Sequence, residues 1–209
     1  MKILSHRGYW LQKSEKNTDT AFHRSFDLGF GTETDLRDRL GEIVISHDPA
    51  NSESKAFDDY VSLLGDRNLT QAFNIKADGL AEPLHAALAG KQLDWFVFDM
   101  SIPDMRMHIK AGNPVFARMS EVERDIPWSD AVSGVWLDAF DANWYSASTI
   151  ANLLGRGLRV CVVSPELHGR EHLGLWESLR GFVNDDRVLI CTDFPEDCRR
   201  FYSQAFPNQ

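Results

Sequence analysis

The first 48 residues contain the side-chain types that cleave phosphate esters. His6, Arg7 and His47 share this segment with an acidic pair, Glu33 and Asp35. Arginine binds phosphate oxygens through parallel hydrogen bonds, and histidine exchanges protons near neutral pH. Because Glu33 and Asp35 are two residues apart, a strand would point both side chains to one face, where they could bind one divalent cation. The segment therefore indicates metal-assisted phosphoryl chemistry.

Short apolar runs that end in polar residues recur along the chain and predict strands. Eight of them begin near residues 2, 32, 72, 95, 114, 134, 159 and 188. Helical patterns occur at 18–28, 57–64, 80–88, 146–154, 173–183 and 195–205. Continuous apolar runs such as 95–98 suit parallel strands that are covered on both faces. This alternation predicts an α/β fold, a single-domain (β/α)8 TIM barrel over residues 1–209, with 42–47 as an extended addition after the second strand. The alternative is an open doubly wound sheet, but no glycine-rich phosphate loop follows the first strand.

In a TIM barrel, reactive side chains collect at the C-terminal ends of the strands. The residues at or just after predicted strand ends are His6, Arg7, Glu33, Asp35, His47, Lys76, Asp99, Asp138 and Asp193. A barrel would bring them to one mouth, where a phosphodiester could bind.

Composition excludes several classes of protein. Hydrophobic residues make up 43% and charged residues 25%, as in ordinary globular proteins. The net charge of −9 opposes binding of nucleic acid. No apolar run is long enough to cross a membrane, and Met1 is not followed by the apolar core of a signal peptide. We therefore expect a cytoplasmic location and no membrane insertion. Cys161, Cys191 and Cys198 have no metal spacing and are expected to be reduced thiols, the first two of them buried.

The ordered set of motifs resembles the glycerophosphodiester phosphodiesterases, relatives of the phosphatidylinositol-specific phospholipases C. The matching elements are His6 to Gly8, Asn17 with Thr18, Glu33 to Asp35, His47 with Asp48, and Thr192 to Pro195. The resemblance is dense over 3–48, weak through the middle of the chain, and returns at 188–196. It implies that His6 and His47 are the general acid and base, in either order, and that Arg7 holds the phosphate. It also implies that Glu33 and Asp35 bind one divalent cation, Mg²⁺ or Ca²⁺, and that the substrate is a small glycerol-linked or sugar-linked phosphodiester.

Two positions depart from the pattern of this family. The residue before Asn17 is Lys16 where the family has an acid, and Glu15 stands one place earlier. The family's third strand carries Glu-x-Lys, whereas this chain has Lys76 and Asp78 with the charges exchanged. Either Asp78 is the third metal ligand while Lys76 contacts phosphate, or the Lys76 ammonium partly replaces the cation. A further alternative is a catalytically impaired barrel that binds a phosphorylated metabolite or a partner.

Overall fold

Strands and helices alternate along the chain in the computed structural model, which describes residues 1–204. The strands are β1 (Lys2–His6), β2 (Gly31–Arg39), β3 (Glu42–Ile45), β4 (Lys55–Ala56), β5 (Gln71–Ile75), β6 (Trp95–Phe98), β7 (Phe116–Met119), β8 (Gly134–Leu137), β9 (Arg159–Val163) and β10 (Val188–Thr192). The helices are α1 (Asp19–Asp27), α2 (Phe57–Leu64), α3 (Ala81–Leu88), α4 (Ile102–Ala111), α5 (Ala147–Gly155), α6 (Leu173–Ser178) and α7 (Pro195–Ser203).

Eight parallel strands form the centre of the sheet. Hydrogen-bonded neighbours follow the order β6, β5, β2, β1, β10, β9, β8 and β7. The two ends of this series, β6 and β7, touch through a single parallel bridge between Val97 and Val115. All eight predicted strands and the predicted α/β single-domain fold are therefore confirmed. The expected addition at 42–47 is a hairpin, in which β3 pairs antiparallel with β2 and β4 pairs with β3.

Apolar side chains fill both faces of the parallel sheet. One cluster lies between the strands and the helices and includes Phe22, Tyr60 and Leu84. A second cluster draws on alternate positions of seven parallel strands, and its aromatic rings stack: the centroids of Phe96 and Phe116 are 3.7 Å apart. Period-two alternation explains the division, because neighbouring residues of a strand point to opposite faces. The three cysteines are buried free thiols, as predicted for Cys161 and Cys191.

The helices differ from the sequence prediction at two places. Helix α4 was not predicted, although Ser101 caps it by accepting a hydrogen bond from the Asp104 amide and Gly112 ends it in the left-handed conformation. The predicted helix at 173–183 is instead α6 followed by a 3-10 turn at Arg180–Phe182. The predicted helix at 195–205 is α7, and its last predicted residue, Ala205, lies outside the described residues.

Membrane crossing requires a helix that is both long and apolar. None of the helices within residues 1–204 meets that requirement.

Candidate functional site

His6 ends β1 and is held by a carboxylate from the neighbouring strand. Ser5 and Thr192 are register partners of β1 and β10, so the residues that follow them meet. The result is a contact of 2.6 Å between His6 Nδ1 and Asp193 Oδ1, while His6 Nε2 lies 4.0 Å from Glu33 Oε2. Burial lowers the pKa of His6, against the opposing effect of Asp193. The lowered pKa favours the uncharged ring, and in the tautomer whose Nδ1–H donates to Asp193 the Nε2 lone pair is free.

Arg7 and Gly8 form a turn immediately after β1. The φ of Arg7 is 59°, in the left-handed region, and the following Gly8 has a φ of 81°. A Cβ at Gly8 would stand 2.8 Å from Ala21 Cβ, so this close approach requires glycine. The Arg7 amide donates to Glu33 Oε2 at 3.1 Å, and Arg7 Nε lies 3.0 Å from Asp35 Oδ2. Arg7 is thus fixed between the two predicted metal ligands.

Glu33 and Asp35 lie side by side on β2, as their spacing predicts. Their exposed fractions are 1% and 0%. Burial, and secondly the negative charge of Asp35, raise the pKa of Glu33 to about 8. Asp35 Oδ2 also accepts a hydrogen bond from Asn17 Nδ2 at 2.8 Å, and Thr34 donates to Asn17 Oδ1 at 2.8 Å. Asn17 of the Asn17–Thr18 motif therefore orients Asp35.

The structure brings Lys76 to the acidic pair and leaves Asp78 apart from it. Lys76 Nζ lies 3.5 Å from Asp35 Oδ1. Asp78 is exposed, and both of its carboxylate oxygens accept from the Ser101 hydroxyl at 3.0 Å. The alternation of side chains between the two faces of a sheet holds only within a strand. Because β5 ends at Ile75, it does not place Asp78 on the same side as Lys76. Within residues 1–204 no group of three His, Cys, Asp or Glu side chains is placed to hold a metal ion.

Asn74 belongs to the site and was missed in the sequence. It is the register partner of Asp35 on β5, and its Nδ2 donates to Asp99 Oδ2 at 3.2 Å. Two buried oxygens here, Asn74 Oδ1 and Asp35 Oδ1, have no hydrogen-bond partner in the described part of the chain. Buried carboxylate and amide oxygens that accept no hydrogen bond, next to Glu33, fit a hard divalent cation. The available signal was the alternation of Asn74 and Lys76, which predicts that both leave β5 on the same side.

His47 lies on the hairpin side of the site. Its side chain is 46% exposed, and its Nδ1 lies 2.9 Å from Asp48 Oδ1. It lines an open cleft of about 620 Å³ together with Arg7, Asn17 and Thr18. The structure therefore brings His47 and Arg7 to one cleft, but His47 has no bond to the His6 and Asp193 pair.

Further polar residues follow the remaining strands. Asp99, after β6, has a φ of 66° and contacts Arg118 Nη1 at 3.2 Å, and burial raises its pKa. After β8, Asp138 Oδ1 lies 2.7 Å from His168 Nε2, and this contact raises the pKa of His168. After β9, Glu166 accepts from the Asp193 amide at 3.1 Å. Asp99, Asp138 and Asp193 are thus placed at strand ends, as predicted.

No protein-family model matches the chain, and no curated protein matches it in sequence. Solved structures do match its fold. A glycerophosphodiester phosphodiesterase from Agrobacterium tumefaciens superposes with a TM-score of 0.67 at 16% identity, over 96% of this chain and 99% of that one. A phosphodiesterase from Oleispira antarctica, solved with the product sn-glycerol-3-phosphate, superposes with a TM-score of 0.66 at 12% identity, over 96% of both chains. A phosphoribosyl anthranilate isomerase from Thermus thermophilus matches less closely, with a TM-score of 0.53 at 14% identity. The resemblance inferred from the motifs is thus confirmed at the level of the fold, since this chain has the fold of two known phosphodiesterases along nearly its whole length.

Proposed function

We propose that this protein is a phosphodiesterase, similar to the glycerophosphodiester phosphodiesterases, that cleaves a small phosphodiester to an alcohol and a phosphomonoester at the mouth of a (β/α)8 barrel. The single bridge between Val97 and Val115 supports closure of the barrel. The observation that carries the proposal is the placement of His6, Arg7 and Glu33 against one another at the end of β1, with His6 oriented by Asp193. Fold likeness to two phosphodiesterases supports the same reaction class.

His6 supplies the first proton transfer in this mechanism. Its bond to Asp193 fixes the tautomer with a free Nε2, which takes the proton from a substrate hydroxyl next to the phosphate. The hydroxyl oxygen attacks phosphorus, the bond to the departing alcohol breaks, and His47 returns a proton to that oxygen. The resulting cyclic phosphate is opened by water with the roles of the two histidines reversed. This assignment of His6 and His47 stays a proposal.

Arg7 and Lys76 offset the charge of the phosphate in this proposal. Both contact Asp35, and bound phosphate would compete with that carboxylate for their N–H groups. A divalent cation, Mg²⁺ or Ca²⁺, would be held by Glu33, Asp35 and the Asn74 amide oxygen, because these are the partnerless or buried oxygens of the site. Such a cation would stabilise the negative charge on the nonbridging oxygens. Asp78 would bind it only if the chain after β5 were rearranged.

The test is turnover of glycerophosphodiesters, which carry a hydroxyl next to the phosphate, by purified protein with Mg²⁺ or Ca²⁺ present. The expected result is alcohol release that falls by a factor on the order of 10² or more in His6→Ala. His23→Ala is the matched control, because His23 is exposed on α1. Absence of turnover with every substrate, or equal turnover in His6→Ala and the wild type, would refute the proposal.

A second candidate function is a barrel that binds a phosphorylated metabolite without turning it over. It is favoured by one observation: Arg7 and Lys76 both already contact Asp35, whose single negative charge offsets one of their two positive charges and leaves less cationic charge for a transition state. Titration calorimetry with Mg²⁺ or Ca²⁺ and with glycerol 3-phosphate separates the two functions. Metal binding that is lost in Glu33→Gln and Asp35→Asn, with turnover lost in His6→Ala, supports the enzyme. Ligand binding that survives all three changes, without turnover, supports the binder.

A further inference from the structure

Two lysines stand at the entrance to the site, in the segment between β1 and α1. Lys13 begins a 3-10 turn at Lys13–Glu15, and Lys16 follows it directly. Because a 3-10 helix has three residues per turn, residues three apart lie on the same side. Both lysines accordingly line the cleft of about 620 Å³ that also contains Arg7 and His47.

The acidic residue of this turn is directed away from the lysines. Glu15 Oε2 lies 2.9 Å from Arg24 Nη1 and accepts from the Leu11 amide at 2.8 Å. Among the described residues, neither Lys13 nor Lys16 forms an ion pair with a carboxylate, whereas Lys55 in the same cleft is paired with Asp19 at 2.9 Å. Unpaired cations here are informative because the protein as a whole carries a net charge of −9.

Lys16 is positioned by the site itself. Its Nζ rests 4.4 Å from the centre of the Trp10 ring, and Trp10 Nε1 donates to the His6 carbonyl at 3.1 Å. Burial lowers the pKa of Lys16, and the charges of Asp193 and Arg7 also act on it, so the ammonium lies within electrostatic reach of the proposed reaction centre. The turn therefore holds a cation at the entrance to the site, over the Trp10 ring.

The cleft also contains acids, which limit where a second anion can bind. Asp19 is paired with Lys55, and Asp48 with His47. Asp48 and Glu53 belong to the segment between β3 and β4, whereas Lys13 and Lys16 belong to the segment after β1. The charges that the segment from β1 to α1 brings to the cleft sum to a positive value even with Asp19, and those of the hairpin side to a negative value even with Lys55, so an anionic group of a ligand is attracted to the β1 side.

We infer that Lys13 and Lys16 form a subsite for a second anionic group of the substrate, so that the preferred phosphodiester carries a carboxylate or a phosphomonoester next to the scissile phosphate. The inference rests on the proposed function and narrows its substrate class. A neutral alcohol on that side would leave both ammonium groups without an anionic partner, whereas an anion gains charge-assisted hydrogen bonds from them.

A pair of synthetic substrates isolates the extra charge. The p-nitrophenyl diesters of 3-phosphoglycerate and of glycerol 3-phosphate differ by one carboxylate in place of one hydroxymethyl group, and p-nitrophenol release follows both. We expect Lys16→Gln to raise the KM of the glycerate diester about 5- to 20-fold and to change that of the glycerol diester less than about twofold. Lys16→Arg, which keeps the charge, should recover most of the difference. Lys91→Gln is the control, because it removes one positive charge from the segment between α3 and β6, outside this cleft.

Equal kcat/KM for the two diesters, or an equal loss for both in Lys16→Gln, would overturn the subsite. Calorimetric titration with 3-phosphoglycerate and glycerol 3-phosphate tests it independently of turnover. Tighter binding of 3-phosphoglycerate that disappears in Lys13→Gln and Lys16→Gln supports the subsite even if neither diester is cleaved, in which case the proposed function fails alone. Equal binding of the two ligands refutes the subsite and leaves the phosphodiesterase proposal standing.

Discussion

Replacing Glu33 by glutamine is expected to stabilise the protein at alkaline pH. The unfolded chain releases the Glu33 proton near pH 4.5, whereas burial and the charge of Asp35 raise the folded-state pKa to about 8. Folding therefore takes up a proton between these two values, and the stability contributed by this group falls as the pH rises through that window. Glutamine keeps the shape of the side chain and does not titrate. The wild type should consequently lose stability relative to Glu33→Gln between about pH 4.5 and pH 8.

The size of the effect follows from the two pKa values. The two pKa values differ by about 3.5, and each pH unit of difference is worth about 1.4 kcal/mol. The contribution of Glu33 to the free energy of unfolding therefore changes by roughly 5 kcal/mol between the acidic and alkaline limits. Typical domains have a total free energy of unfolding of about 5–15 kcal/mol, so the term is large. The Arg7 amide donates to the Glu33 carboxylate, and loss of this bond in the variant would subtract about 1 kcal/mol at every pH. The pH dependence is therefore a cleaner measure than stability at one pH.

Urea unfolding at intervals from pH 5 to pH 9 measures this difference. Glu82→Gln is the control, because Glu82 is exposed on α3 and its removal should leave the pH slope unchanged. Parallel loss of stability in the wild type and Glu33→Gln across this range would refute the reasoning. Addition of Mg²⁺ or Ca²⁺ at pH 8 extends the experiment, since a cation bound to Glu33 displaces its proton and should stabilise the wild type but not the variant.

Two further changes test other parts of the structure. Asp193→Asn should lower kcat on the order of 10²-fold at pH 7 without unfolding the protein, because the carboxylate fixes the His6 tautomer. It should also move the acidic limb of the pH profile of kcat/KM to lower pH, because the charge of Asp193 raises the pKa of His6. An unchanged pH profile would contradict this role of Asp193. Gly134→Ala should destabilise the fold by about 2 kcal/mol or more in thermal unfolding, because the new Cβ would stand 2.5 Å from the Phe116 ring; an unchanged Tm would contradict the packing of β7 on β8.

The positions of strands and strand ends could be predicted from the sequence because they depend on local patterns. Apolar runs that are covered on both faces leave little choice of secondary structure, and the polar residue that ends each run marks the edge of the sheet. The same-face placement of Glu33 and Asp35 follows from period-two alternation inside one strand. The meeting of His6 with Asp193 follows from parallel pairing of the first and last strands, which the barrel prediction already contained.

Details that depend on where a strand stops could not be predicted in the same way. Alternation was extended to Asp78, but the last residue of β5 is Ile75, and the chain beyond it turns toward Ser101 and α4. Asn74 was overlooked because an amide inside an apolar run has no charge to mark it, although it pairs in register with Asp35. Helix α4 contains a proline in its first turn, which reads as a break unless the capping role of Ser101 is recognised.

The two predicted histidines lie in unequal surroundings, and this asymmetry bears on their roles. The His6 side chain is only 13% exposed and is oriented by Asp193, so in the tautomer that donates to Asp193 it can accept a proton at Nε2 before substrate binds. The His47 side chain is 46% exposed on a hairpin, and the ion pair of its ring is with the neighbouring Asp48, while Arg37 Nη2 donates to the His47 carbonyl. Catalytic hydrogen bonds commonly tighten only when substrate is present, so an exposed partner across an open cleft is compatible with proton donation to a departing alcohol. If His47 has that role, the kcat of His47→Ala should depend on the leaving group. This variant should release p-nitrophenol almost as fast as the wild type does, because this leaving group needs little protonation. It should release glycerol much more slowly than the wild type does. An equal loss for both leaving groups would assign His47 to binding or to proton abstraction instead.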